Sequence, residues 1–130
     1  MGILDGKAAI ITGAGRGIGQ GHAFHLAANG ASVVVNDLDP DEGQGTVAKI
    51  AQSGGKAVLN TSDIGTREGA RALITQCTEE FGGVHILVNN AGNVRDRSFL
   101  KMTDEEFGDV LRVHVHGTFM CSQEAALQMK

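Results

Sequence analysis

Hydrophobic positions along the chain form short runs that alternate with longer amphipathic stretches. Four runs rich in Val, Ile, Leu and Ala have the length and composition of strands. They lie at 7–12, 32–37, 56–60 and 85–90. The amphipathic stretches predict four helices, at about 17–29, 40–53, 66–81 and 104–128. The pattern therefore alternates strand and helix from one end of the chain to the other.

The predicted strands are apolar on successive residues, as in Ala8–Ile11 and Val33–Val35. Such runs are typical of parallel strands whose two faces are both covered by helices. Strands joined by helices also require crossover connections, which are right-handed in parallel sheets. We therefore predict a doubly wound, Rossmann-type α/β fold with a parallel sheet in the strand order 3-2-1-4.

Length, composition and charge restrict the classes of protein to which the chain can belong. Its 130 residues, 42% of them hydrophobic, suit one small domain over residues 1–130. No apolar run approaches the ~20 residues of a membrane helix, and a net charge of −4 without a basic block gives no support to nucleic-acid binding. The first residues lack a secretion-signal pattern, and Cys77 and Cys121 match no metal or redox spacing. We expect reduced thiols and a cytoplasmic location, with neither a membrane nor a nucleic acid as partner.

A glycine-rich segment, Thr12–Gly19, directly follows the first predicted strand. It departs from the dinucleotide template G-x-G-x-x-G, because Ile18 stands where the third glycine would complete the pattern from Gly13. A strand that breaks into such a turn and opens a helix brings the first-turn N–H groups and the positive end of the helix dipole towards a phosphate. The segment predicts a binding site for dinucleotide phosphates, with a plain turn as the alternative.

An acidic residue, Asp37, ends the second predicted strand, 18 residues after Gly19. A carboxylate at this position can accept hydrogen bonds from both hydroxyls of an adenosine ribose, and it would repel a 2′-phosphate. The position therefore favours NAD over NADP. The alternative is a turn residue, or a helix N-cap before Pro40.

A third segment, Asn89–Gly92, reads N-N-A-G and gives the chain a resemblance to a known family. The chain resembles the short-chain dehydrogenase/reductase family, whose cofactor motif T-G-x-x-x-G-x-G matches Thr12–Gly19 at every fixed position and whose N-N-A-G signature closes the fourth strand. The resemblance spans all 130 residues. It implies an NAD(H)-dependent oxidoreductase that transfers hydride between nicotinamide and a secondary alcohol or ketone.

The resemblance also implies a set of residues for cofactor binding. The pyrophosphate and its adjoining ribose would be held by Gly13, Arg16, Gly17 and Ile18. The adenosine ribose would meet Asp37 and Leu38, and the adenine ring would meet Asp63 and Ile64. The nicotinamide end would be contacted by Asn90, Ala91, Gly92 and Val113. As alternatives, Asp63 could cap its own turn and Arg16 could be a solvated loop residue.

The catalytic set of the family is only partly represented. By the resemblance it consists of an Asn on the fourth helix, a Ser, and a Tyr followed four residues later by a Lys, where the Tyr exchanges the substrate proton and the Lys lowers its pKa. The chain contains no Tyr, so we expect it to be truncated after its fourth helix and inactive on its own. The position of the family Asn carries His114, which is a candidate for the proton relay or for holding an ordered water. A packed helix histidine is the alternative.

The chain is also similar to one branch of the family. The (3R)-hydroxyacyl-CoA dehydrogenase portion of multifunctional fatty-acid oxidation enzymes resembles it in having His after Val113 and in the segment Asn93–Phe99. This implies a 3-hydroxyacyl thioester as substrate. The resemblance to the family as a whole implies a homo-oligomer formed through the fourth helix. The alternative function is a truncated, non-catalytic module for nucleotide binding or interaction. His22 and His25 lie three apart on the first helix without a third ligand nearby, so no metal site is predicted.

Overall fold

The computed structural model describes residues 2–130, and its elements follow the predicted alternation. The strands are β1 (Ala8–Thr12), β2 (Ser32–Asn36), β3 (Lys56–Asn60) and β4 (Ile86–Val88). The helices are α1 (Gly17–Ala28), α2 (Pro40–Gln52), α3 (Arg67–Phe81), α4 (Asp104–Leu111) and α5 (Thr118–Met129). β4 is the element that differs most from its predicted strand, because it holds three residues where six were expected.

The four strands form one parallel sheet in the order β3-β2-β1-β4, which confirms the predicted topology. Ile10 on β1 lies between Val34 on β2 and Leu87 on β4. Because the strands run in the same direction, their carboxyl ends and the turns that follow them meet along one edge of the sheet. Within residues 2–130, no helix has both the length and the apolar character that crossing a bilayer requires.

Each face of the sheet carries its own hydrophobic core. Ile10 and Val34 pack with Leu73 of α3 on one face, while Ile11 and Val35 pack with helices α1 and α2 on the other. Successive residues of a strand point to opposite faces. Burial on both faces therefore explains why the strands are apolar at every position.

The fourth helix departs from its prediction as one continuous α-helix over 104–128. Residues Arg112–Gly117 between α4 and α5 form a π-helix, called here the π segment. In a π turn the backbone bonds run from residue i to i+5, so the segment accommodates one more residue per turn than an α-helix does. The hydroxyl of Thr118 donates to the carbonyl of His114 at 2.7 Å, at the exit of the segment. Hydrophobic periodicity alone does not report such a local change of pitch.

The start of α4 is fixed by a capping box. The Thr103 hydroxyl accepts from the Glu106 N–H at 3.1 Å, and the Glu106 carboxylate accepts from the Thr103 N–H at 3.2 Å. These reciprocal bonds satisfy two backbone donors of the helix start. The entry to α4 is therefore fixed by local chemistry.

His85, for which the sequence suggested no role, extends the pairing of β1 with β4. The ring Nδ1 of His85 accepts from the backbone N–H of Ala8 at 2.9 Å, and the backbone N–H of His85 donates to the Ala8 carbonyl at 2.9 Å. The side chain thus satisfies a backbone donor at the entry of β1, and His85 stabilises the short strand β4 against β1.

The two cysteines are free and buried in the core against α3 and α5. Burial raises the pKa of Cys77 to about 11, and it raises the pKa of Cys121 to about 11 against a smaller opposing effect of the Arg67 charge. The thiolate is the reactive form of cysteine. Both side chains therefore behave as small hydrophobic groups.

Candidate functional site

The carboxyl ends of the strands open into one cleft with a volume of about 600 Å³. Most of the residues that were expected to bind a cofactor line it: Gly13, Arg16, Gly17, Asp37, Leu38, Asp63, Ile64, Asn90, Ala91, Gly92 and Val113. Ile18, which is 75% exposed, and His114 do not line it. Six other lining residues carried no prediction: Asn36, Ser62, Asn93, Arg95, Asp109 and Arg112.

The amino end of α1 lies at this cleft without a side-chain cap. Asp39 caps α2 and Thr66 caps α3 through their side-chain oxygens. Arg16 precedes α1 and makes no such bond, and the first turn of α1 contains no acidic residue. The backbone donors and the positive dipole end of α1 therefore lack the partner that α2 and α3 have. An anionic group bound in the cleft would satisfy them.

The turn after β1 is hydrogen-bonded to the segment after β4. The buried Thr12 hydroxyl accepts from the N–H groups of Asn90 and Ala91, at 3.0 and 2.9 Å. In return, the Asn90 side-chain amide donates to the carbonyls of Thr12 and Gly13, both at 3.1 Å. The glycine-rich turn and the N-N-A-G segment therefore form one rigid wall. Thr12 holds this wall together, and the expected site omitted it although it opens the motif.

A second tie fixes the same turn from the opposite side. Thr46 of α2 is fully buried, and its hydroxyl donates to the Ala14 carbonyl at 2.9 Å. The amide of Gln20 on α1 donates to the Thr46 hydroxyl at 3.2 Å. Nothing in the sequence pattern could identify Thr46, because its partner lies 32 residues earlier in the chain.

Asp37 keeps part of its capacity as a hydrogen-bond acceptor free for a ligand. Its Oδ2 accepts from the N–H of Gly15 at 2.8 Å, and its Oδ1 accepts from the N–H of Asp39 at 2.9 Å. An ionised carboxylate offers about four acceptor positions. One position on each oxygen therefore remains, which suits a pair of neighbouring hydroxyls.

Arg16 extends from the same turn and is paired with Glu42 of α2. The Arg16 Nε lies 3.6 Å from the Glu42 carboxylate, and the arginine side chain is 83% exposed. An exposed pair at this distance contributes little to stability. The pair places the Glu42 carboxylate next to the guanidinium of Arg16.

A chain of side-chain amides holds the ends of β2 and β3 together. The Asn36 amide donates to the Asn60 side chain at 2.8 Å and to the Ser62 carbonyl at 3.1 Å. Asn60 in turn donates to Gln76 of α3 at 2.8 Å, and Gln76 donates to the Leu59 carbonyl at 2.9 Å. Because these buried amides are hydrogen-bonded, they fix the loop after β3, which carries Asp63.

Asp63 belongs to a network of alternating charges centred on Arg112. Its Nη1 lies 3.0 and 2.9 Å from the two carboxylate oxygens of Asp63, and its Nη2 lies 3.3 Å from Asp109 Oδ1. Asp109 Oδ2 also accepts from Arg95 at 2.8 Å and from the Asn93 amide at 3.1 Å. The hydrogen bond with Asp63 is the main cause that raises the pKa of Arg112, and the bond with Arg95 is the main cause that lowers the pKa of Asp109. The network joins α4 and the π segment to the loops after β3 and β4.

His114 packs against the segment after β4 from outside the cleft. Its Nε2 lies 2.9 Å from the Asn93 carbonyl and 3.1 Å from the Asn93 N–H, so the tautomer decides which of the two is bonded. The imidazole fills the space beside Gly92. The side chain is exposed, which is not the environment of a packed core histidine.

No group of three or more His, Cys, Asp or Glu side chains within residues 2–130 is arranged to hold a metal ion. His22 and His25 are both exposed on α1. The cleft presents backbone donors, carboxylates and the guanidinium groups of Arg16, Arg95 and Arg112.

The chain is similar to known proteins over most of its length. A family model described as short chain dehydrogenase matches residues 7–130. The peroxisomal hydratase-dehydrogenase-epimerase of Saccharomyces cerevisiae is 44% identical over 92% of this chain and 13% of its own length. The hydroxyacyl-CoA dehydrogenase ChsB1 of Mycobacterium tuberculosis is 42% identical over 95% of this chain and 40% of its own length.

Solved structures show the same similarity. A 7α-hydroxysteroid dehydrogenase in complex with NADH and 7-oxo glycochenodeoxycholic acid is 41% identical, with a TM-score of 0.92 over 97% of this chain and 49% of its own. A short chain dehydrogenase from Burkholderia cenocepacia in complex with NADP is 36% identical, with a TM-score of 0.92 over 96% of this chain and 51% of its own. The chain thus spans about half of these structures, and less of the two curated relatives.

Proposed function

Because the chain belongs to the short-chain dehydrogenase family, we propose that it forms the nucleotide-binding part, residues 1–130, of an NAD(H)-dependent oxidoreductase acting on a secondary alcohol or ketone. The observation that carries this proposal is the uncapped amino end of α1 at the same cleft as Asp37. A pyrophosphate and an adenosine ribose need these two features at one edge of a sheet.

The residues of the cleft fit a nicotinamide dinucleotide along its length. The turn after β1 and the start of α1 would hold the pyrophosphate, Asp37 and Leu38 the adenosine ribose, and Asp63 and Ile64 the adenine. Ala91 and Val113 would lie against the nicotinamide end. When bound, the nicotinamide supplies or accepts the hydride. The protein's part here is to orient that ring and to exclude water from one of its faces.

We propose a 3-hydroxyacyl thioester as the substrate. The M. tuberculosis relative is named a hydroxyacyl-CoA dehydrogenase, and this name supports the proposal. The Tyr and Lys of the family would be supplied by residues other than these 130, since the chain has no Tyr. The absence of Tyr equally supports a non-catalytic nucleotide-binding module. If the complete protein binds NADH but does not oxidise a 3-hydroxyacyl-CoA in the presence of NAD+, that result would favour the second function.

The remaining expectations concern location and assembly. A cytoplasmic location stays a prediction, and the yeast relative carries a peroxisomal name. A homo-oligomer built through the fourth helix is likewise a proposal. Exposed Phe107 and Phe119, on α4 and α5, support it because large apolar side chains on one helical segment often mark a contact surface.

Replacing Asp37 by Ala tests the cofactor preference. The change removes a charged acceptor for two ribose hydroxyls, and such bonds contribute about 1.5–3 kcal/mol, so the Kd for NADH should rise by roughly tenfold or more. The Kd for NADPH should change less, because the removed carboxylate also repelled its 2′-phosphate. Isothermal titration calorimetry with both dinucleotides measures the two constants.

Two controls make the Asp37 result specific. Asp41→Ala removes an exposed acidic residue of α2 that does not line the cleft, and both affinities should stay unchanged. Asp37→Asn keeps an oxygen that can accept from the Gly15 N–H but removes the negative charge. It therefore separates the effect of Asp37 on the turn from the effect of its charge on the cofactor. Equal losses for NADH and NADPH in Asp37→Ala would overturn the NAD preference.

For His114 we propose the relay position that the family Asn occupies, acting through the Asn93 peptide that its Nε2 contacts. In the complete enzyme, His114→Phe should lower kcat by about tenfold, a modest share of the 10²–10⁴-fold of a direct acid–base group. The Kd for NADH should stay unchanged, and His114→Asn should restore most of kcat. A normal kcat in His114→Phe would leave the residue a purely structural role.

A further inference from the structure

We propose that Arg112 is a positioning residue for recognition of the base: it fixes the Asp63 carboxylate so that one acceptor position faces the cleft and selects a 6-amino purine over a 6-oxo purine. The inference rests on the proposed function, since it concerns the adenine end of the same site. It assigns to Arg112 a role that neither the motifs nor the sequence pattern suggested.

The acceptor positions of Asp63 are almost fully used by the protein. Its Oδ1 accepts from the Gly65 N–H at 2.9 Å and from Arg112 Nη1 at 3.0 Å. Its Oδ2 accepts from the same Nη1 at 2.9 Å. Of the roughly four positions of a carboxylate, one on Oδ2 is left among the described contacts. Asp63 lines the cleft and its side chain is 41% exposed, so that position is accessible to a ligand.

Arg112 is itself held from its other side. Nη2 reaches Asp109 Oδ1 at 3.3 Å, and the bonds from Arg95 and Asn93 to Asp109 Oδ2 anchor that carboxylate in turn. The guanidinium therefore bridges two carboxylates, one through each terminal nitrogen. A planar group that is hydrogen-bonded at both ends has little freedom to rotate. The guanidinium therefore restricts the orientation of the Asp63 carboxylate.

The loop after β3 is shaped to admit the guanidinium. A Cβ at Gly65 would overlap Arg112 Nη1, so only a glycine leaves room for this approach. On the other side, the π segment begins at Arg112 itself. Two backbone features, a residue without a side chain and a change of helical pitch, thus converge on the same contact.

The chemistry of the free position discriminates between bases. The 6-amino group of adenine donates N–H bonds, which a carboxylate oxygen accepts. The 6-oxo group of hypoxanthine is an acceptor, so the same oxygen repels it and the hydrogen bond is lost. Arg112 also supplies the positive charge that balances the Asp63 carboxylate.

The test compares NADH with reduced nicotinamide hypoxanthine dinucleotide, which differs only at that group of the base. In the unaltered protein the ratio of the two Kd values should favour NADH by roughly tenfold, as expected for one hydrogen bond to a charged group. Arg112→Met, of similar length but uncharged, should reduce the ratio to within about threefold. Arg112→Lys can pair with Asp63 without bridging to Asp109 and should give an intermediate ratio.

The matched control is Arg97→Met, which removes an arginine paired with Glu106 at 3.1 Å outside the cleft. It should keep the full ratio. Thermal unfolding of each variant shows that it is folded, and Arg112→Lys carries the test if Arg112→Met does not fold. A purely structural role of Arg112 would weaken both dinucleotides equally and leave the ratio intact.

The outcomes separate the two proposals. If the unaltered protein binds neither dinucleotide, the proposed function fails and this inference fails with it. If it binds both equally, or if the folded Arg112 variants keep or increase the ratio, NADH binding stands and the positioning role is overturned. Loss of the ratio in the Arg112 variants, with Arg97→Met unchanged, supports it.

Discussion

Gly19→Ala is expected to raise the Kd for NADH more than about tenfold and to lower the free energy of unfolding by about 1–3 kcal/mol. Gly19 lies in the first turn of α1, and a Cβ there would overlap the side-chain amide of Asn90 and the carbonyl of Gly13. To admit the methyl group, the amide must leave the carbonyls of Thr12 and Gly13 that it now satisfies. Both the stability of the fold and the shape of the turn after β1 depend on those bonds. Calorimetric titration with NADH and urea denaturation measure the two effects.

Gly21→Ala is the matched control, because it adds the same methyl group two residues later on the same helix. A Cβ at Gly21 would meet no atom within 4 Å. Alanine is favoured over glycine in a helix interior by about 0.8–1 kcal/mol, so the variant should be at least as stable as the unaltered protein. Its affinity for NADH should be unchanged. Equal behaviour of the two variants would show that the approach of Asn90 to α1 is unimportant.

Leu73→Ala is expected to destabilise the fold by about 2–5 kcal/mol through the cavity that it leaves. Leu73 of α3 is 0% exposed and packs under the sheet with Ile10 and Val34. Since whole domains are stable by only about 5–15 kcal/mol, the loss would be a large part of the total. Urea denaturation followed by circular dichroism gives the change, read as a shift of the midpoint at constant slope.

The corresponding control is Leu127→Ala on α5, where the leucine is 61% exposed. Exposed substitutions of this kind usually change stability by no more than about 0.5 kcal/mol. A loss below about 1 kcal/mol at Leu73 would mean that the layer between α3 and the sheet is packed more loosely than its burial indicates.

The architecture was predictable because it depends on local patterns of hydrophobic and polar residues. Apolar runs and amphipathic stretches each act within a few residues, and together they predict the elements and the crossover order. The turn after β1 and Asp37 were likewise found from their positions at strand ends. Family resemblance then indicated which residues share the cleft.

The residues that were missed act over long distances in the chain. Thr46 bonds to Ala14, Asn36 to Asn60, and Arg112 to Asp63, which lies 49 residues earlier. A buried threonine or asparagine looks in the sequence like any other polar residue of a helix or strand. Such contacts become visible only when the fold has brought the partners together, and the positions of Ile18 and His114 outside the cleft depend on the same packing.

The π segment also determines which side of the following helix is buried. One residue of an α-helix corresponds to a rotation of about 100°, so Arg112–Gly117 acts as an angular spacer between α4 and α5. Beyond it, Cys121 and Ala125 turn inwards to the layer against α3, and Glu124 meets Arg67 at 2.9 Å. If these six residues had regular α-helical pitch, the side of α5 that is now buried would be rotated by about 100° away from α3. The same six residues that bring Arg112 to the cleft therefore set the rotational phase on which the packing of the last helix depends.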